Sequence, residues 1–425
     1  MKPYALFTTE ERRKEYAELR EKYQKFQALK LNLNMARGKP GMEQLDLVSD
    51  MLAILIDYGN YVIDGIDVRN YGELSGLPAA KRLFAEILGT QPEEIFVAGN
   101  ASLQLMYDLI SKAHTHGLLH SERPWCKEEK IKFLCPSPGY DRHFKICETF
   151  GMEMITIAMT PDGPDMDTVE EAIKDPTVKG MWCVPKYSNP DGIIYSDGVI
   201  DRIAAMKPAA PDFALMWDNA YCVHEFEGEF VPFRDMLSLC RAQGNADMVY
   251  EFASTSKITY PGAGVGVMAA SVANQKYIAS LVTYQTIGFD KINHLRHVCF
   301  LKNKAHTLEL MQRHAEILKP KFHAVLDSLK NEIEPLKIAQ WTQPKGGYFV
   351  SVNSMPGTAK RIVALMKDAG VILTGAGATF PYGIDPNDSN IRIAPTLPPV
   401  EELKQAMEVF CICMRMAALE QLGIE

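Results

Sequence analysis

A chain of 425 residues with a formal net charge of −8 has room for two or three domains, or for one large core with a smaller appendage. Its acidic balance argues against general nucleic-acid binding, which needs a basic surface to neutralise phosphates. Hydrophobic residues make up 47% and charged residues 23%, the balance of a soluble globular enzyme, and no apolar run approaches the roughly 20 residues needed to span a bilayer. The first residues, Met1-Lys2-Pro3-Tyr4 and then Thr9 to Lys14, contain no apolar stretch of the signal-peptide kind. Nine cysteines are scattered, with no Cys-x-x-Cys pair and no zinc-like spacing. Free, mostly buried thiols, no metal and a cytoplasmic location are expected.

Residues 9–30 read as an amphipathic helix with Tyr16, Leu19, Tyr23, Phe26 and Leu29 on one stripe. The segment Asn34-Met35-Ala36-Arg37-Gly38-Lys39-Pro40 follows as a loop. Seven short apolar runs come next, at 95–99, 131–135, 154–158, 180–184, 214–217, 248–252 and 265–270, mostly separated by helix-length segments. This alternation predicts a seven-stranded, mostly parallel sheet covered on both faces, an α/β/α sandwich. After about residue 290 the pattern turns to long helices at 291–330, 357–370 and 399–422, with strands at 347–352 and 391–394. That is the pattern of a second, smaller α/β domain completed by the N-terminal segment. The expected division is 1–65 (helix and arm, joining the small domain), 66–295 (large domain) and 296–425 (small domain).

In an open α/β sheet, ligands bind beyond the carboxyl ends of the strands. The residues placed there carry chemistry. Lys257 follows the run ending at Phe252, among Ser254, Thr255 and Ser256 and before a Pro261-Gly262 turn. A desolvated lysine loses its proton more easily and can form a Schiff base with a carbonyl. Asp218, in Asp218-Asn219-Ala220-Tyr221, is a carboxylate able to pair with the ring nitrogen of pyridoxal 5'-phosphate (PLP), the cofactor that most often uses such a lysine. Pro136-Ser137-Pro138-Gly139-Tyr140 is a rigid turn able to hold an aromatic ring over a cofactor, and Asn189-Pro190-Asp191-Gly192 presents an amide. Asn100-Ala101-Ser102 opens a helix whose free N–H groups suit a phosphate. Each feature alone has a plainer reading as a cap, a turn or core packing. Five such groups at successive strand ends are harder to explain that way.

The chain resembles the fold-type I PLP-dependent enzymes, and among them the class I aminotransferases, from about residue 32 to 395. The motifs that carry the resemblance, in the family's order, include Asn189-Pro190-Asp191-Gly192, Asp218-Asn219-Ala220-Tyr221, Ser254-Thr255-Ser256-Lys257, Pro344-Lys345-Gly346-Gly347-Tyr348-Phe349 and Asn390-Ile391-Arg392-Ile393-Ala394. The variants at 34–40, 99–103 and 257–266 are similar to a bacterial branch of aspartate aminotransferases called subgroup Ic.

The resemblance implies that Lys257 binds PLP and moves the substrate's α-proton, and that Asp218 keeps the pyridine nitrogen protonated. It implies that Tyr221 and Asn189 hydrogen-bond the ring oxygen and that Tyr140 stacks on the ring. Ala101, Ser102, Leu103, Ser254 and Ser256 would surround the phosphate, and Arg392 would clamp the substrate's α-carboxylate. Tyr71 resembles the tyrosine that reaches the phosphate of a neighbouring subunit, which implies a homodimer with active sites at the interface. One departure is clear: the family's arginine seven or eight residues after the lysine is replaced by Gly264 and Val265. For a dicarboxylic substrate, Arg37, beside Gly38 in the loop expected to cover the site, is the candidate for the distal carboxylate, with Lys39 and Arg142 as substitutes. The implied reaction is amino transfer between aspartate and 2-oxoglutarate, by a ping-pong mechanism through a lysine Schiff base. Aromatic, alanine or aminoadipate donors, or a PLP lyase or decarboxylase on the same fold, remain alternatives.

Overall fold

The computed structural model describes residues 2–424. Its centre is an eight-stranded sheet in the order Ile95–Val97, Gly266–Ala270, Val249–Ser254, Ala214–Asp218, Val178–Cys183, Lys132–Ser137, Glu153–Thr160 and Gly163–Pro164. The five strands from 249–254 to 153–160 are mutually parallel, and 266–270 runs antiparallel to both its neighbours. All seven expected strands are present. The eighth, Gly163–Pro164, is a two-residue hairpin return on Met159–Thr160, too short to leave a periodic signal.

Alternate residues along each strand face opposite sides, and both sides are buried. Phe133, Trp182, Met216 and Phe252 point into one core, while Leu134, Met181, Leu215 and Trp217 point into another. This double burial explains why the strands read as continuous apolar runs. Each fully buried apolar side chain contributes about 1.5–3 kcal/mol relative to exposure.

A further core joins the two ends of the chain. Leu19, Tyr23 and Met35 pack with Phe322, Val350, Ile391 and Phe410. The helix Thr9–Ala28 enters this core through a capping box: Thr8 Oγ1 accepts from Glu11 N–H, and Glu11 accepts from Thr8 N–H. Leu29 lies past the helix end and is exposed, so the expected stripe stops at Phe26. The strand Leu33–Asn34 pairs parallel with Val371–Ile372, which anchors the N-terminal segment to the C-terminal third.

Two expectations for that third are corrected. The helix expected at 291–330 is two helices, Lys291–Leu301 and Lys304–Glu332, because Asn303 caps the second by accepting from His306 N–H. The strand expected at 347–352 lies at Val350–Ser354, since Gly346 and Gly347 form a turn pressed against the Tyr187 ring, where a Cβ on Gly346 would meet ring atoms at 2.5 Å. No helix among the described residues is long and apolar enough to cross a membrane, and none of their His, Cys, Asp and Glu side chains form a metal-holding cluster.

Candidate active site

The carboxyl ends of the parallel strands open into a cleft of about 560 Å³. From the sheet side it is lined by Ser102, Leu103, Tyr140, Asn189, Asp218, Tyr221 and Lys257. From the opposite wall it is lined by Arg37, Gly38, Phe349, Thr374 and Arg392. Residues more than 350 positions apart in the chain therefore face one space.

Lys257 lies three residues past the end of strand 249–254, half-buried, with its Nζ 4.8 Å from the Tyr221 ring centre and 5.7 Å from that of Tyr348. Burial lowers the pKa of its ammonium, and the Asp218 carboxylate pulls the other way. The amine is thus brought closer to its nucleophilic form than a surface lysine.

Asp218, the last residue of its strand, is 3% exposed. His143 Nε2 lies 3.1 Å from its Oδ2, and the His143 ring stacks on Trp182 with 4.2 Å between centroids and 7° between planes. The other oxygen, Oδ1, is buried with no partner. Such an orphan acceptor costs roughly 1–3 kcal/mol, which a ring N–H donor would recover. His143 is a residue the sequence reading missed. It sits three positions after Tyr140 on the helix Asp141–Thr149 and meets Asp218 only through the tertiary fold.

Burial pushes the Tyr221 phenol well above its ordinary pKa, and the Asp218 carboxylate adds to it. Tyr140 is pushed up to about 12 by burial and then by Asp218 and Asp141. Both tyrosines therefore act as neutral hydrogen-bonding and stacking groups at physiological pH.

The helix Ser102–Thr115 starts at the cleft. Ala101 is its N-cap in extended conformation, with no side-chain cap, which leaves the first N–H groups free. The strand Gly266–Ala270 passes so close that a Cβ on Gly266 would lie 2.8 Å from the Ala101 carbonyl carbon. Behind this helix end, Ser254 Oγ donates to Ser256 Oγ (3.2 Å) and Ser256 Oγ to the Asn100 carbonyl (3.4 Å). Hydroxyls and uncapped amides therefore meet in one place. Ala101, Ser254 and Ser256 lie just outside the residues that line the cleft. The cleft's cations are Arg37, Lys39, Arg142, Lys257 and Arg392. Tyr71 is not among the lining residues and is 81% exposed.

Arg392, on the strand Asn390–Ile393, is 6% exposed. Its Nη1 donates to Asn189 Oδ1 (3.2 Å) and Asp141 Oδ1 (3.1 Å), and Nη2 to Thr374 Oγ1 (3.2 Å). Its guanidinium carbon lies 4.8 Å from the Phe349 ring centre, and its Nε is buried without a partner. The loop bearing Arg37 is tied down on both sides: Thr374 Oγ1 donates to the Ala36 carbonyl and Thr396 Oγ1 to the Lys39 carbonyl. Gly38 approaches Phe349 so closely that a Cβ would meet the ring at 2.7 Å. Arg37 is exposed on this loop at the rim of the cleft.

A desolvated lysine, an aspartate with an orphan oxygen, an uncapped helix end and a buried guanidinium in one α/β cleft suit amine chemistry on carboxylic acids. The family model for aspartate amino-transferase matches residues 7–424. An aspartate aminotransferase of Corynebacterium glutamicum is 44% identical over 95% of this chain and 94% of its own. The crystal structure of an aspartate transaminase from Corynebacterium glutamicum superposes with a TM-score of 0.95, at 43% identity over 98% of both chains. An α-aminoadipate aminotransferase from Thermus thermophilus, solved with N-(5'-phosphopyridoxyl)-L-leucine, shares the fold at a TM-score of 0.73 and 21% identity, over 95% of both chains. The chain belongs to the aspartate aminotransferase family and is an aminotransferase of fold type I.

Proposed function

We propose that this aminotransferase binds PLP through Lys257 and transfers the amino group between L-aspartate and 2-oxoglutarate by a ping-pong mechanism. The observation that carries the reading is the buried, unpartnered Oδ1 of Asp218 in the same cleft as the half-buried amine of Lys257. When bound, PLP would supply an electron-poor ring able to take up the electron pair left by the α-proton and a carbon able to carry the amino group between half-reactions. Asp218 would hold the ring nitrogen protonated, with His143 orienting Asp218 from behind. Tyr140 would support the face of the ring, while Tyr221 and Asn189 would donate to its oxygen. The uncapped amides at Ala101, Ser102 and Leu103, with Ser254 and Ser256, would hold the phosphate, in keeping with the helix end's affinity for anions. Arg392 binds the α-carboxylate and Arg37 the distal one. Lys257 Nζ would carry the donor's α-proton across to the cofactor's imine carbon, and would run the same transfer in reverse on the acceptor. Donor and acceptor both carry two carboxylates, so one pair of clamps serves each in turn.

We also propose a homodimer in which Tyr71 completes the partner's phosphate site. Exposed apolar side chains support it: Ile56, Tyr71, Tyr284 and Ile287 are 77%, 81%, 92% and 64% exposed. The core that joins residues 4–35 to 318–424 supports a small domain built from both chain ends, within the proposed division at 1–65, 66–295 and 296–425; Val48, Leu55, Leu301, Leu310 and Met311 pack instead with Ile95, Val97 and Val267 of the large sheet. The nine free cysteines suit a reducing compartment, which supports a cytoplasmic location.

The test is the visible absorbance of the purified protein before and after L-aspartate is added without an oxo acid. A yellow band that bleaches in proportion to the enzyme supports the reading. A yellow protein that aspartate leaves unchanged keeps the cofactor and rejects aspartate. A protein that remains colourless after incubation with PLP overturns the proposal.

A further inference from the structure

Arg392 carries an internal carboxylate. Asp141 Oδ1 lies 3.1 Å from Nη1, and the two residues come from opposite walls of the cleft. The Arg392 side chain is 6% exposed and that of Asp141 27%, so the pair is only partly hydrated and outweighs a surface ion pair. A guanidinium binds a planar carboxylate best through two adjacent N–H groups. Here both Nη1 N–H groups are used, by Asn189 and Asp141, one of the two on Nη2 goes to Thr374, and Nε is buried. A second carboxylate arriving at this fork meets a like charge already in place.

Asp141 has somewhere else to go. Its Oδ2 lies 4.0 Å from Nε of Arg142, a half-exposed cation that lines the same cleft. It is also the first residue of the helix Asp141–Thr149, where the helix dipole favours a negative charge in either position.

We infer that Asp141 is a built-in competitor for the carboxylate clamp: it holds Arg392 until a substrate carboxylate displaces it towards Arg142, and so it sets how tightly the cleft takes carboxylic acids. This rests on the reading of Arg392 as the clamp. Asp141 is thus a specificity-determining residue that weakens binding. Damage to the fold would not produce the gain in affinity expected when its charge is removed.

The experiment is calorimetric titration of the PLP-loaded enzyme with succinate, a dicarboxylate that cannot react. Asp141→Asn keeps the side chain's shape and removes its charge, and should bind succinate about five- to tenfold more tightly. Asp141→Ser should move in the same direction, and Arg392→Ala should weaken binding. If Arg392→Ala weakens binding but neither Asp141 variant tightens it, the competitor role is overturned and the clamp stands. If Arg392→Ala binds succinate as the unaltered enzyme does, the clamp reading fails, and the role of Asp141 fails with it.

Discussion

At the residue scale the site is built from groups whose environments are asymmetric. Lys257 is desolvated beside two tyrosine rings, and Asp218 has one oxygen facing His143 and the other unpartnered. Lys257→Ala is expected to abolish the visible cofactor band and to lower turnover about a thousandfold or more, since positioned proton transfer disappears with the amine. A variant with full activity would refute the assignment. Asp218→Ala is expected to slow turnover about a hundredfold and to weaken cofactor retention on dialysis, because a preorganised charge is lost; an unchanged rate rules out its pairing with the ring. Arg37→Ala is expected to reduce kcat/KM for aspartate about ten- to a hundredfold more than for alanine, the worth of a charge-assisted hydrogen bond to the distal carboxylate. Equal losses on the two donors remove Arg37 as the distal clamp.

At the element scale, the sheet has to deliver Asp218 and the Lys257 loop side by side. The register does so by pairing Phe252 with Asp218. Next to that pair, Glu251 is fully enclosed in the sheet, where Asn219 Nδ2 donates to its Oε1 at 2.8 Å. Burial pushes its carboxyl up to about 8, from an ordinary value near 4.5. The folded protein therefore holds a proton between those values that the unfolded chain releases. The contribution to stability is present below the unfolded pKa and is lost as pH rises through about 8. Glu251→Gln keeps an oxygen for Asn219 and cannot ionise. Its melting temperature should exceed that of the unaltered protein, by a margin that grows from pH 5 to pH 8; a margin independent of pH contradicts the assignment. Gly266 belongs to the same scale: a Cβ there would strike the backbone at Ala101. Gly266→Ala should displace the N-terminal end of the helix Ser102–Thr115 and destabilise the protein by about 1–3 kcal/mol.

At the scale of the whole molecule, one wall of the cleft comes from the central sheet and the other from the core that joins the two chain ends. The exposed Tyr71 has no role within a single chain's cleft, and the proposed dimer gives it one. Sedimentation equilibrium should return twice the 47.5 kDa chain mass. Tyr71→Ala should lower cofactor affinity while leaving the dimer intact. A monomeric, fully active enzyme would contradict both the dimer and the role of Tyr71.

Much of this was determined locally. The seven strands were legible because both sheet faces are buried and their apolar runs continuous, and Lys257, Asp218, Asn189 and Ser102 were legible because each stands at or just past a strand's end. Helix ends were less so: the break at Lys302–Asn303 depends on one capping side chain, and the turn at Gly346–Gly347 on contact with Tyr187. Pairings between distant segments were decided by tertiary structure alone. His143 against Asp218, Asp141 against Arg392 and Gly38 against Phe349 join residues 75, 251 and about 310 positions apart. Periodicity and turn chemistry act within a few residues. Which side chains share a charge, or lose their water together, depends on how the sheet and the end-to-end core pack against each other.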